Sequence, residues 1–150
     1  LSLDLAVQNL GAGHNLPTGV NDQKHMWLEI TLTDAQGRVV YQSGQDGAET
    51  PGTVAWLEHF RDAKGERITN HLTFATAEVV WIRKPIAAKS EEIVSYDIAL
   101  PADAAFPLHL SARLMFRVAL PDLLFKNLGH RALAVPAFAM AELGREIPGN

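Results

Sequence analysis

The strongest constraint on the fold is a regular alternation of apolar and polar residues in several segments of the chain. In LHLSARLMFRV (108–118), every second residue from Leu108 to Phe116 is apolar, and three of the four positions between them are polar. Successive side chains of a β-strand point to opposite faces, so this period is typical of a strand with one buried face. LSLDLAVQNL (1–10), HMWLEITLTD (25–34) and EEIVSYDIALP (91–101) show the same pattern. The chain is therefore predicted to be built from strands.

Turn signals separate the strand-like segments at intervals of roughly eight to twelve residues, as they do in sandwich folds. DAQG (34–37), for example, has Asp at the first position and Gly at the last position of a type I turn. VAWLEHFRD (54–62) is compatible with either a strand or a short helical turn, and residues 68–74 again alternate. The apolar tail ALAVPAFAMAEL (132–143) is predicted as an edge strand, where its proline is tolerated.

One segment departs from the period of two. In LPDLLFKNLG (120–129), Pro121 suits the first turn of a helix, Asp122 favours its positive end and Gly129 suits its C-terminal cap. The predicted fold is therefore all-β: an immunoglobulin-like antiparallel β-sandwich with one short helix at 121–128, near the C-terminus.

The chain has 150 residues, enough for one domain with a buried core, and no change in composition marks an internal boundary. The first residue, Leu1, already lies within a strand pattern, and neither an initiator methionine nor a signal peptide precedes it. We therefore expect residues 1–150 to be a single β-sandwich domain cut from a longer protein.

Charge and residue content exclude several classes of function. The net charge is −4, the pI is about 5.8 and there is no basic run, so nucleic acid is not an expected partner. No stretch approaches the roughly 18 uninterrupted apolar residues of a membrane-spanning helix, so direct membrane insertion is not expected. The chain has no cysteine, which excludes disulfides, thiolate zinc sites and covalent attachment of c-type haem within it.

No pattern of catalytic or metal-ligating residues is complete. The serines lack a GxSxG setting, and the glycine-rich loop matches neither GxGxxG nor a P-loop. DAQG and DAKG (62–65) lack the further acidic ligands that calcium needs, so both are interpreted as turns. Glu91 and Glu92 stand in tandem at the start of a strand, where we expect them to be solvated. No catalytic residue or metal ligand is assigned, and the chain alone is not expected to be an enzyme.

The most distinctive loop is NLGAGHNLPTGVND (9–22), which carries His14. No HxH or HExxH pair places two imidazoles on one metal. The histidines are His14, His25, His59, His71, His109 and His130. Glycines allow unusual backbone angles before His14, and Pro17 stiffens the exit of the loop. A rigid loop with one imidazole is what a single axial ligand requires, and it is also a good β-turn, so both interpretations remain open.

Two other groups of side chains have alternative interpretations. Exposed indoles at Trp27, Trp56 and Trp81 would form a carbohydrate-binding surface, but their strand context favours packing of at least two of them. Arg113 and Arg117 share one strand face. They are either solvated there or, in a larger protein, paired with carboxylates or haem propionates.

QNLGAGHNLPTGVNDQKHMWLEITLTDAQGRVVYQSG (8–44) resembles the start of the β-rich C-terminal region of certain multihaem c-type cytochromes. In that family, an N-x-GAGH-x-x-PTG loop precedes a strand with an aromatic residue, a D-x-x-G hairpin and a V-V-x-x-SG ending. Later segments of the chain are also similar to the family: FRDAKGERITNHLTFAT (60–76), YDIALP (96–101), SARLMFRVALPDLLFKNLG (111–129) and VPAFAMAE (135–142). The resemblance extends over most of the chain, and the GAGHNLPTG loop is its distinctive part.

The resemblance implies a non-catalytic module of an electron-transfer protein in the periplasm or another extracytoplasmic space. Its implied partner is a haem-bearing domain of the same parent protein. No cofactor is implied within this chain, whereas c-type haem bound through CxxCH motifs is expected in the full-length protein. The family pattern makes His14 a candidate distal axial ligand to a haem outside this chain, while Thr18 and Gly19 would shape the loop.

Two other functions remain open. The first is an extracytoplasmic carbohydrate- or protein-binding module with no haem connection. Exposed and coplanar tryptophans would favour this function. An enzyme in its own right would need a pocket in which His14 or His25 meets a carboxylate at hydrogen-bond distance.

Overall fold

The computed structural model describes residues 1–48, 50–68 and 75–149, which form nine β-strands and one α-helix. The strands are β1 (Ser2–Asn9), β2 (His25–Thr33), β3 (Val39–Ser43), β4 (Val54–Trp56), β5 (Glu58–Arg61), β6 (Glu78–Trp81), β7 (Ser90–Asp97), β8 (Leu108–Arg117) and β9 (Phe138–Ile147). The helix α1 is Pro121–Leu128, the range that its caps predict. The predicted all-β fold, with antiparallel sheets and one short helix near the C-terminus, is confirmed.

β2 is the central strand of the larger, five-stranded sheet. β8 pairs with one edge of β2 along its whole length, and β9 pairs with β8 at the outside of the sheet. The other edge of β2 is shared by β3 and β4, which pair with its C-terminal and N-terminal halves. β1 and β7 form a second sheet, and β5 and β6 form a third.

The main core lies between the larger sheet and the β1–β7 sheet. Alternate residues of β2 point into it, so that Met26, Ile30 and Leu32 are fully buried. Leu5 of β1 and Val94 of β7 belong to the same cluster. Full burial of an apolar side chain of this size contributes roughly 1.5–3 kcal/mol relative to exposure. The apolar residues of the alternating pattern therefore form the core that holds the two sheets together.

The opposite face of β2 is also buried, which the alternation alone does not predict. Trp27 lies on this face and packs with Leu57 and Met115 in a second cluster. The segment between β3 and β4 folds over it, and Trp27 Nε1 donates a hydrogen bond to the Gly44 carbonyl oxygen at 2.8 Å. Gly44 has a φ of +70°, and a Cβ there would lie 2.0 Å from the Leu28 carbonyl oxygen. This close approach requires glycine.

Three predicted segments are compared with the observed strands. VAWLEHFRD is neither a single strand nor a helical turn, but the two strands β4 and β5 in different sheets. The tail does form an edge strand, yet β9 begins at Phe138, so Pro136 lies before it rather than within it. Beyond Ile68, the predicted alternation falls on residues 69–74, outside the described ranges. No helix in the described ranges is long and apolar enough to cross a membrane.

Candidate functional site

The loop between β1 and β2 is tied to the body of the sandwich at its middle. Leu16 and Ile86 exchange two backbone hydrogen bonds, with N···O distances of 2.9 and 2.8 Å. Pro17, the next residue, is fully buried. The two residues anchor the loop on the far side of His14 from β1, so that the short segment carrying His14 is held at both ends.

The other anchor is Asn9, the last residue of β1. Its side-chain Nδ2 donates to the carbonyl oxygens of His14 at 2.8 Å and of Ile86 at 3.0 Å. Asn9 is 1% exposed, and its bond to the Ile86 carbonyl oxygen is buried, where hydrogen bonds are strengthened. Asn9 belongs to no chemical motif of the sequence. The available signal was its place in the alternation, because it follows Leu5 and Val7 on the inward face of β1.

The C-terminal part of the loop is held by a lysine. Lys24 Nζ donates to the Thr18 carbonyl oxygen at 2.8 Å. Gly19 has a φ of +83°, a conformation that favours glycine, and a Cβ on it would lie 3.0 Å from Lys24 Nζ. Lys24 therefore closes this part of the loop through the Thr18 carbonyl oxygen, and the absence of a side chain at Gly19 leaves room for the lysine.

His14 is exposed, but its ring is oriented by the chain. The Nδ1 atom lies 2.8 Å from the carbonyl oxygen of Asn15. A carbonyl oxygen only accepts, so Nδ1 must carry the proton that is donated. In the neutral ring this leaves the lone pair on Nε2, at the outer end of the side chain. Histidines that bind metals usually have this arrangement, in which the second ring nitrogen donates to a carbonyl or carboxylate oxygen.

The other histidines have different surroundings. His25 is 5% exposed and stacks on Trp27 with ring centroids 4.4 Å apart. His59 lies half-buried on β5, whereas His109 and His130 are exposed. His71 lies outside the described ranges. Across the described part of the chain, no group of three histidine or acidic side chains is arranged to hold a metal ion.

Two of the three tryptophans are packed, as predicted. Trp27 and Trp56 are fully buried, and Trp81 is 38% exposed. Trp56 Nε1 donates to Glu92 Oε2 at 2.6 Å, and Glu92 also forms an ion pair with Arg83. The expectation that Glu92 is simply solvated is therefore wrong, because its carboxylate satisfies a buried indole N–H.

The arginine pair on β8 also has partners within this chain. Arg113 forms an ion pair with Glu29, and Arg117 Nη2 lies 2.6 Å from Asp46 Oδ1. Of the alternatives left open by the sequence, the structure shows pairing with carboxylates. The two turn sequences are turns, since Asp34 Oδ1 accepts from the backbone N–H of Arg38, and Asp62 Oδ1 plays the same part in DAKG.

Comparison with known proteins gives one match. No protein-family model matches the sequence, and no curated protein does. The solved structure of a penta-haem cytochrome c552 from Thermochromatium tepidum has a TM-score of 0.70 and 19% sequence identity to this chain. The match covers 97% of this chain but 36% of that one, so the present chain spans about a third of its length. What the two share is the fold.

Proposed function

We propose that this chain is a non-catalytic β-sandwich module of a multihaem c-type cytochrome and packs against a haem-bearing domain of the same protein. The sequence supports this through its resemblance to such cytochromes, which is most distinctive in the loop of residues 9–22. The fold supports it as well, because nearly all of the chain is similar to part of a penta-haem cytochrome. The module would work in electron transfer, in the periplasm or another extracytoplasmic space.

The residue assigned to the haem is His14, as a distal axial ligand through Nε2. The observation that carries this assignment is the hydrogen bond from Nδ1 to the Asn15 carbonyl oxygen, which fixes the ring and leaves Nε2 as the acceptor. Asn9 and the Leu16–Ile86 bridge hold the loop. When bound, the haem would supply the electron-transfer chemistry. The residues of this chain orient one ligand atom, Nε2 of His14.

The haem itself must be attached elsewhere, because the chain has no cysteine. The first test is therefore the sequence that precedes Leu1 in the gene product. We expect several CxxCH motifs there. A gene product without any CxxCH motif would contradict the proposal as a whole.

The second test replaces His14 by Ala in the intact parent protein, with His130→Ala as the control at an exposed histidine outside the loop. Loss of an axial ligand should change the visible and electron paramagnetic resonance spectra of one haem and shift its midpoint potential, while the control leaves them unchanged. Identical spectra and potentials in His14→Ala and the parent would remove the ligand role and leave the packing role.

The alternative of a carbohydrate-binding module gains little from the structure. Stacking on a sugar ring needs an accessible indole, and Trp27 and Trp56 are fully buried. Trp81 is the most accessible of the three at 38%. A coplanar platform of tryptophans, which would favour this function, is therefore not formed. If both tests fail, the remaining alternative is a protein-binding module without haem.

A further inference from the structure

A cleft of about 390 Å³ opens at the end of the sandwich where β2 begins and β8 ends. This volume falls within the range of roughly 300–1,000 Å³ that is usual for small-molecule sites. Its walls come from Asp22 and the start of β2, from Gly47, from β5 and residues 67–68 after it, from the end of β8, and from residues 120–126 in and before α1. Five separate parts of the chain therefore converge on one concave surface.

The charged side chains that line the cleft include more cations than anions. The cations are Arg67, Arg117 and Lys126, the carboxylates are Asp22 and Asp122, and the imidazoles are His25 and His59. Within the described ranges, no carboxylate lies at ion-pair distance from Arg67 or Lys126. These two cations are therefore available to a negatively charged ligand.

Arg117 is the buried member of this set. Its side chain exposes 10% of its surface, its Nη2 donates to Asp46 Oδ1, and its guanidinium lies 5.3 Å from the Trp27 ring centroid. These contacts hold the guanidinium in place. Its Nε, however, has no hydrogen-bond partner among the described residues. A buried donor without an acceptor is costly, and this one belongs to a residue that lines the cleft.

The first turn of α1 adds backbone donors to the same cleft. Leu120 stands at the N-cap without a side-chain acceptor, and Pro121 has no N–H to donate. The N–H groups of Asp122 and Leu123 therefore lie uncapped at the positive end of the helix dipole, and both residues line the cleft. This combination of amides and dipole favours anions.

Two carboxylates of the lining, Asp22 and Asp122, oppose an anion. Burial raises the pKa of Asp22. Asp122 is exposed and lies in the first turn of α1, beside the proposed amide donors. Its removal should therefore favour binding.

We propose that this cleft binds a small oxyanion through Arg67, Arg117 and Lys126, with the amides of Asp122 and Leu123 as additional donors. The site does not depend on the proposed haem role, because none of these residues belongs to the His14 loop. If an experiment contradicts one of the two proposals, the other is unaffected.

Inorganic phosphate is a suitable probe, added to the ¹⁵N-labelled 150-residue chain at constant ionic strength maintained with chloride. We expect saturable chemical-shift changes at the amides of Asp122, Leu123 and Gly47, which line the cleft. Lys126→Ala and Arg67→Ala should each weaken binding by about two- to fivefold, the size expected for an exposed charge pair. Lys84→Ala, an exposed cation outside the cleft, is the matched control and should bind phosphate as the parent chain does.

Asp122→Asn gives a test in the opposite direction, because it removes the competing charge and should strengthen binding. The proposal is overturned if the shifts grow linearly without saturation, or if Lys84→Ala weakens binding as much as Lys126→Ala. Weaker binding by Asp122→Asn would also overturn it.

Discussion

His14 and His25 lie on either side of Pro17 in the same stretch of chain, but their surroundings are opposite. His14 is exposed and has its Nδ1 bonded to a backbone carbonyl, which leaves Nε2 directed away from that bond. His25 is 5% exposed and stacks on Trp27. Gly47 packs so close to it that a Cβ on Gly47 would lie 2.8 Å from His25 Cε1. The second ring is enclosed by the fold, and the first is only oriented by it. Binding roles are therefore indicated by the contacts around a histidine rather than by the residue type.

The largest expected effect concerns the enclosed region. Trp27→Ala should lower the free energy of unfolding by about 3–5 kcal/mol, because it removes a fully buried indole and leaves a cavity beside His25. Urea denaturation measures this loss. Trp81→Ala, at the 38% exposed indole, is the control and should cost about 1 kcal/mol. Equal losses in the two variants would contradict the assignment of His25 and Trp27 to a packed core.

The next effect concerns the anchor of the exposed loop. Asn9→Ala should lower the free energy of unfolding by about 1–3 kcal/mol, since it removes the side-chain donor to the His14 and Ile86 carbonyl oxygens. The Ile86 oxygen then keeps only the Leu16 N–H as a donor. Hydrogen exchange at the Leu16 and Ile86 amides should also accelerate. The control is Gln8→Ala on the same strand, whose exposed amide bonds Glu91. If the Leu16 and Ile86 amides of both variants exchange hydrogen at the same rate as those of the parent, Asn9 does not hold the loop.

A smaller effect concerns the pH dependence of the enclosed region. Burial, and then the charge of Asp22, raise the pKa of Glu58 in the folded protein. The folded state therefore binds the carboxyl proton of Glu58 more tightly than the unfolded state does. As a result, the free energy of unfolding decreases as the pH rises from the unfolded pKa, about 4.3, to the higher folded pKa. Glu58→Gln should remove this decrease, so that the variant loses less stability than the parent between acidic and neutral pH.

Denaturation at a series of pH values measures the pH effect, with Glu66→Gln, an exposed glutamate in a turn, as the control. The control should follow the parent curve. A Glu58→Gln curve that keeps the full decrease would show that another group is responsible.

The smallest effect is expected at the exposed histidine. His14→Ala should change the free energy of unfolding by no more than about 0.5 kcal/mol, the usual range for a surface substitution. His25→Ala should cost about 1–3 kcal/mol, because its ring is packed against Trp27. Thermal or urea denaturation of the two variants compares them directly. A large loss in His14→Ala would mean that the ring supports the fold of this chain and is not held for an outside partner.

Some of this architecture follows from local sequence and some does not. The alternation in β8 and the caps of α1 are local features, so the sequence predicts both elements well. The division of 54–62 into two strands depends on pairing with the distant β2 and β6, which no local pattern encodes. In the same way, the sequence indicates that His14 is distinctive, but the orientation of its ring depends on the backbone of Asn15 and the anchor at Asn9.

The central claim is that the loop presents His14 with Nδ1 protonated and Nε2 available as a ligand. Long-range ¹H–¹⁵N correlation spectra of the histidine rings report the tautomer directly, at a pH where the rings are neutral. His14 should show a protonated Nδ1 and an unprotonated Nε2, and Asn9→Ala should shift it towards a mixture of tautomers. A proton on Nε2 in the parent chain would contradict the claim, because the atom assigned to the haem would then be unable to bind it.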